Sequence, residues 1–260
     1  MLRERIAFLL LRSLHAACGG RKIPVSLIYF IRWLGGKELT RLPGFSRTLT
    51  WDITLIEGIM ESSSIIPAKS ISPWALDVKT LNFLIHYIIN FKPQAILEFG
   101  SGISTICFAK IMTKIHHDPS TAVVYSIEES YSFAELVGGW LLRAHLDRFV
   151  KILCAPLTKQ VIEGESIPCY YLPEEILVQF LEGVKPDLIV IDGPSGKRGA
   201  RFGTLPLVKD FVRKGAVFFL DDGFRDEELR IVRKWMKIPY IKIVGFIPIG
   251  KGLVEGRIYK

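Results

Sequence analysis

From about residue 71 to the end, short apolar runs rich in β-branched residues alternate with stretches whose apolar positions recur every three or four residues. The first kind suits buried strands and the second suits helices with one covered face. Their alternation is the signature of an α/β domain with a mostly parallel sheet. Residues 77–91 predict a helix with Leu81, Leu84, Ile85 and Ile88 on one face, stopped by Lys92-Pro93. Residues 95–99 predict the first strand and 104–115 the helix after it. Beyond the polar loop 116–121, a second strand is expected over 123–129, a helix over 131–147 and a third strand over 149–155. The stretch 156–175 shows no clear period. A helix over 176–184, a fourth strand over 187–194, a helix from 206 to Gly215, a fifth strand over 216–223 and a helix over 226–237 follow. Residues 240–260 predict two strands joined at Ile249-Gly250-Lys251-Gly252, a terminal hairpin closing five strand–helix units.

Composition narrows the class. The chain has 260 residues, 49% of them hydrophobic, which supports a substantial core and excludes general disorder. Residues 71–260 are expected to form the domain and 1–70 a helical N-terminal extension. A net charge of +8 is compatible with nucleic acid, anionic lipid or an acidic small molecule. The basic residues are scattered rather than blocked, so a solvated basic surface is the expectation and nucleic acid is disfavoured. Four cysteines without a CxxC pair fit a reducing compartment, hence a cytoplasmic location. The opening MLRERIAFLLLRSLHAAC imitates an export signal, but Arg12 interrupts its apolar run. The apolar run 23–33 is broken by Arg32 and is too short to span a bilayer. Residues 1–35 are thus expected as amphipathic helices lying on a membrane, on a partner, or over the protein's own core. The last is the main expectation.

Chemistry gathers where the strands end. In open α/β sheets, ligands lie outside the carboxyl ends of the strands. The first strand ends Glu98-Phe99-Gly100-Ser101-Gly102, the second Glu128-Glu129, the fourth Asp192-Gly193-Pro194 and the fifth Asp221-Asp222-Gly223. Charges gathered at the rim of a buried sheet need a reason. The glycine pair opens a dinucleotide fingerprint, G-x-G-x-x-G, but Thr105 stands at its third position. Glu128 is placed to accept both hydroxyls of a ribose. Glu129 competes for that role, and side-chain alternation points the two in opposite directions.

ILEFGSGIST, VVYSIEES, DLIVIDGP and GAVFFLDDG, in this order and spacing, resemble a class I S-adenosylmethionine (SAM)-dependent methyltransferase over residues 71–260. The resemblance implies a Rossmann-like, seven-stranded, mostly parallel sheet with a reversed final strand and helices on both faces. It also implies that Glu98, Gly100, Ser101 and Gly102 wrap the methionine part of SAM, Glu128 holds the ribose, and Ala155 sits at the adenine. Asp192, Asp221 and Asp222 fall where catechol-type O-methyltransferases hold Mg²⁺, so they are candidate metal ligands and catalytic residues, with Asp192 also a cofactor contact. The sequence departs from that group in its last ligand, Asp222 in place of Asn, and in lacking the lysine base. Without a metal, Asp222 would cap the turn that follows it and Asp192 would orient the cofactor or a base. Arg198, Arg201 and Arg225 would clamp an acidic acceptor, a small molecule or sugar, or else pair with neighbouring acids.

O-methylation of a small-molecule or glycan hydroxyl is therefore the leading expectation. Aminopropyl transfer on the same scaffold lacks its acidic motif after the fourth strand. The alternative from another class is a nucleotide-fold binding module acting at a membrane or in a complex through its N-terminal arm.

Overall fold

The computed structural model describes residues 6, 7, 9, 10, 13, 22–35, 76–116, 123–195 and 199–260. Among the described residues, 6, 7, 9, 10 and 13 are helical, and helices α1 (Val25–Gly35) and α2 (Val78–Phe91) follow before the first strand. The chain then runs β1 (Ile96–Phe99), α3 (Ile103–Ile115), β2 (Val124–Glu128), α4 (Tyr131–Arg143), β3 (Val150–Cys154), β4 (Leu157–Ile162) and β5 (Glu165–Tyr170). It continues through α5 (Glu174–Leu181), β6 (Leu188–Ile191), α6 (Thr204–Val208), β7 (Val217–Leu220), α7 (Asp226–Trp235), β8 (Ile241–Ile247) and β9 (Leu253–Ile258).

Seven strands form one sheet in the order β3-β2-β1-β6-β7-β9-β8. Only β9 runs against its neighbours, and the other pairs are parallel. This is the expected seven-stranded sheet with a reversed final strand. The strand order reverses direction between β1 and β6, so a crevice opens at their carboxyl ends.

Two-residue alternation divides the core between the faces of the sheet. Leu97 and Phe99 face a cluster that includes Ile28 and Ile31 of α1, Leu181 of α5 and Trp235 of α7. Ile96 and Val124 face Leu84 of α2, Phe108 of α3 and Trp140 of α4. Burying one side chain of this kind stabilises by about 1.5–3 kcal/mol. The central strands are apolar on both faces because helices cover both.

Several boundaries differ from expectation. The stretch 156–175 carries the antiparallel hairpin β4–β5, which turns at Glu163 (φ 49) and Gly164 (φ 78). Two successive residues of positive φ make a hairpin turn, and Glu-Gly signals it less strongly than Asn-Gly. The helix expected to Gly215 shortens to α6. Beyond it Phe211 N–H makes one last turn to Val208 O and the chain then leaves the helix: Arg213 N–H reaches Pro186 O and Gly215 N–H reaches Ile258 O of β9.

Helix α4 stops at Arg143 where a longer one is expected. His145 N–H bonds Leu142 O and Leu146 N–H bonds Leu141 O around a left-handed His145 (φ 56), the two-bond helix stop that glycine usually makes. With no glycine there, the sequence hides the stop.

The N-terminal region is described only in part, and residues 36–70 of the expected extension lie outside the described residues. Ile23 pairs with Phe246 of β8, and α1 lies along the core with Ile28 and Ile31 buried. Tyr29 donates to Leu229 O at 2.6 Å, and Arg32 pairs with Asp226 of α7. Phe30 and Trp33 lie exposed on the outer side, Trp33 at 70%. No helix among the described residues is long and apolar enough to cross a membrane.

His145 is exposed and left-handed, so His145→Gly should raise stability by about 0.5–1 kcal/mol, read as a higher urea midpoint at unchanged slope.

Candidate functional site

The loop after β1 is built around a buried acid. Glu98 shares the α3 side of the sheet with Ile96, two residues before it, and is fully buried. Its carboxylate accepts from Ser104 Oγ (2.5 Å), Thr105 Oγ1 (2.5 Å) and Ser126 Oγ (3.0 Å). Thr105 Oγ1 also accepts from Gly102 N–H at 2.9 Å, and the Ser101 and Ser126 hydroxyls lie 2.9 Å apart. The hydroxyls of GSGIST are therefore wired to Glu98 beneath the loop. Burial pushes the Glu98 carboxyl up to about 7 against the opposing pull of those three hydroxyls.

Glu128 holds the same loop from the other side. Its oxygens accept from the N–H groups of Ser101 and Ser130, both at 2.9 Å. Burial raises its pKa, opposed by these two bonds. A carboxylate has about four acceptor positions, so both oxygens retain capacity for a ligand's hydroxyls. Glu129 turns away, as alternation requires, and accepts from Ser195 N–H at 3.2 Å.

The two loop glycines do different work. At Gly100 (φ 94) a side chain would strike Gly193 N, and at Gly193 it would strike the Tyr170 hydroxyl and Gly100. The loops after β1 and β6 thus meet backbone to backbone. An added Cβ at Gly102 meets nothing within 4 Å, so its free side faces open space that a ligand can approach. Ala155 is buried at the end of β3, its N–H bonded to Glu128 O. These residues fit SAM: an open glycine face, a carboxylate with spare capacity, and a crevice between them.

Asp192, Asp221 and Asp222 converge as the strand ends imply, with oxygens within 4.8 Å of one another. Such a set suits Mg²⁺ by chemistry. A side chain already lies within it. Arg201, 3% exposed, places its guanidinium 3.4 Å from Asp192 Oδ1, Asp222 Oδ2 and Glu228 Oε1. It also donates to Pro194 O (3.1 Å) and Asp221 O (3.2 Å). Arg225 pairs with Asp222 at 2.6 Å and Lys251 lies 3.4 Å from it.

The acids divide accordingly. Burial works to raise Asp222, but Arg201, Lys251 and Arg225 outweigh it and hold the carboxyl low. Asp221 is pushed well up by burial and by repulsion from Asp192 and Asp222, and its Oδ1 has no hydrogen-bond partner. Burial raises Asp192 to about 6 and Glu228 to about 7, with Arg201 opposing both. A guanidinium thus already stands against two of the three carboxylates, Asp192 and Asp222, that a Mg²⁺ ion would have to bridge.

Of the three arginines expected at an acceptor, Arg201 and Arg225 sit in these ion pairs and Arg198 lies outside the described residues. Three participants escape sequence reasoning. Glu228 shares a helix face with Val232 and Trp235, four and seven residues on, and an acid in that row is a signal that was available. Lys251 in the terminal turn and Tyr170 at the end of β5 carry no such signal. Tyr170 is fully buried, with a hydroxyl lacking a hydrogen-bond partner.

No protein-family model matches the sequence, and no curated protein matches it either. Solved structures do. An O-methyltransferase from Bacillus cereus in complex with SAH is 17% identical, with 82% of this chain and 94% of that one covered and a TM-score of 0.54. The cofactor-bound Rv0187 from MTB is also 17% identical, covering 92% of this chain and 98% of its own, at 0.54. TomG, the O-methyltransferase of tomaymycin synthesis from Streptomyces achromogenes, in complex with SAM, is 17% identical over 83% and 93%, at 0.53. The fold is the one these structures share, two of them O-methyltransferases. In this methyltransferase fold the glycine loop, Glu128 and the acid cluster all lie at the carboxyl edge of the sheet, around the crevice between β1 and β6.

Glu98 makes stability depend on pH. Its carboxyl keeps a proton in the fold that the unfolded chain releases near 4.5, so its contribution is full below that pH and is lost as pH rises through about 7. At about 1.4 kcal/mol per pH unit, this loss is about 3 kcal/mol at most. Urea denaturation at pH 5 and pH 8 should show a decline in the wild type that Glu98→Gln reduces.

Proposed function

We propose that this chain transfers a methyl group from SAM to a hydroxyl oxygen of a small molecule or sugar. The observation that carries the reading is Glu128, a buried carboxylate with free acceptor capacity at the end of β2, bonded to the glycine loop beside the crevice. The resemblance of the strand-end motifs and the shared fold support it. Glu128 would take the ribose hydroxyls, the backbone of Ser101 and Gly102 would lie along the methionine part, and Ala155 would border the adenine. Glu98 and Gly100 would act from beneath, shaping that loop instead of touching the ligand.

Bound SAM supplies a methyl group on a positively charged sulfur, ready for transfer to a nucleophile. Catalysis by the protein is then largely alignment of the acceptor oxygen with that methyl. The oxygen gains the methyl and gives up its proton, and Asp192 is the group placed to receive it. Its side chain is 20% exposed, against 7% for Asp222 and 0% for Glu228, so it alone of these three stands at the rim. Asp221 and Asp222 hold the surrounding charge in place. With Arg201 and Arg225 engaged by the acids, the proposal extends to a hydroxyl acceptor and not to its acidity.

Calorimetric titration with SAM tests the reading. Micromolar binding is expected, weakened about tenfold to a hundredfold in Glu128→Ala, as loss of hydrogen bonds to a charged group implies. No heat from folded protein would overturn it and favour the nucleotide-fold binding module. Once an acceptor is found by screening, Asp192→Asn should lower kcat about 10²–10³-fold with SAM affinity unchanged.

A further inference from the structure

The three converging carboxylates suit a divalent cation, and the basic residues around them disagree. We propose that Arg201 is a built-in cation that stands in the metal's place, so that the acid cluster takes up no Mg²⁺. The inference concerns the cluster itself, and only its consequence for methyl transfer rests on the function proposed above.

Three observations carry it. The first is engagement: the guanidinium reaches Asp192, Asp222 and Glu228 and the main-chain carbonyls of Pro194 and Asp221, from the loops after β6 and β7 and from α7. A metal ion performs that gathering of oxygens from separate elements, and a planar five-donor group does it equally well.

The second is anchorage. Arg201 lies in the short turn Ala200–Gly203, all of it buried. Trp235 Nε1 donates to Phe202 O (2.9 Å), and Thr204 Oγ1 donates to Arg201 O (2.8 Å). A side chain at Gly203 would collide with Cys169 of β5. The backbone beneath the guanidinium is thus fixed on both sides, so the side chain is delivered to the cluster from a set position.

The third is charge. Arg225 and Lys251 also lie on Asp222, so four acids face three bases among the described residues. A dication added there would meet three positive groups at once and leave the cluster with excess positive charge. Arg201 then acts as a positioning residue: it holds Asp192 at the rim, where the acceptor proton is delivered.

The test uses Mn²⁺ as the probe, since its unbound fraction is read directly by electron paramagnetic resonance. The wild-type full chain should show no Mn²⁺ site tighter than about 1 mM. Its melting temperature should be the same in EDTA and in excess Mg²⁺. Arg201→Ala should gain Mn²⁺ binding at least about tenfold tighter than wild type, with a melting temperature that Mn²⁺ raises, and Asp192→Asn in that background should abolish both. A wild-type Mn²⁺ site lost in Asp222→Asn would overturn the inference, as would a folded Arg201→Ala protein that gains none. If Arg201→Ala does not fold in EDTA, recovery of its fold by Mn²⁺ supports the inference, and failure to recover overturns it. Parallel SAM titrations separate the two proposals: loss of SAM binding sinks the methyltransferase reading while the metal results stand independently.

Discussion

Mutual repulsion among carboxylates delivered to one edge of a sheet is the constraint around which this site is built. Four parallel strands end in acids, and parallel strands necessarily put those ends on the same side. Two ionised carboxylates with oxygens within 4.8 Å of each other repel by about 3 kcal/mol or more at the effective dielectric of a protein interior. The chain meets this with a different device at each place. Glu98 is pushed toward its protonated form by burial and accepts from the hydroxyls of Ser104, Thr105 and Ser126, Glu128 is held by backbone N–H groups, and the acids after β6 and β7 are gathered around Arg201. Each device ties an acid to a different loop, so compensating the charge also sets the shape of the crevice.

That coupling explains why the loops are fixed before any ligand arrives. Gly100 and Gly193 touch backbone to backbone, which closes the floor between β1 and β6 and leaves Gly102 as the open face. The hydroxyls of the loop serve the acid beneath it, while the N–H of Ser101 serves the acid beside it. A ligand entering here finds donors and acceptors already oriented, and preorganisation of this kind is how a site whose chemistry is mainly alignment gains rate.

Much of this was legible in the sequence. The strands, the reversed final strand and the acids at the strand ends follow from the alternation of apolar runs with amphipathic stretches, because buried parallel strands and one-faced helices leave unmistakable patterns. What escaped was set by single backbone positions: a left-handed His145 doing a glycine's work, and a Glu-Gly turn that folds 156–175 into a hairpin. The direction of Glu98 was also within reach. Two-residue alternation puts it with Ile96 on the α3 side, below the loop and away from the crevice. The role of Arg201 was not within reach, because the residues it joins are scattered over 37 positions and meet only through the sheet order.

The N-terminal residues enter the same logic through α7. Ile28 and Ile31 of α1 belong to the core cluster that also contains Trp235, and Arg32 and Tyr29 grip Asp226 and Leu229. Asp226 and Leu229 flank Glu228, and the chain enters α7 at Arg225. Helix α1 therefore braces the element that carries one acid and one base of the cluster, while Trp235 at the other end of that element fixes the turn bearing Arg201. The covering of the core by α1 and the placement of the guanidinium are two ends of one helix's packing.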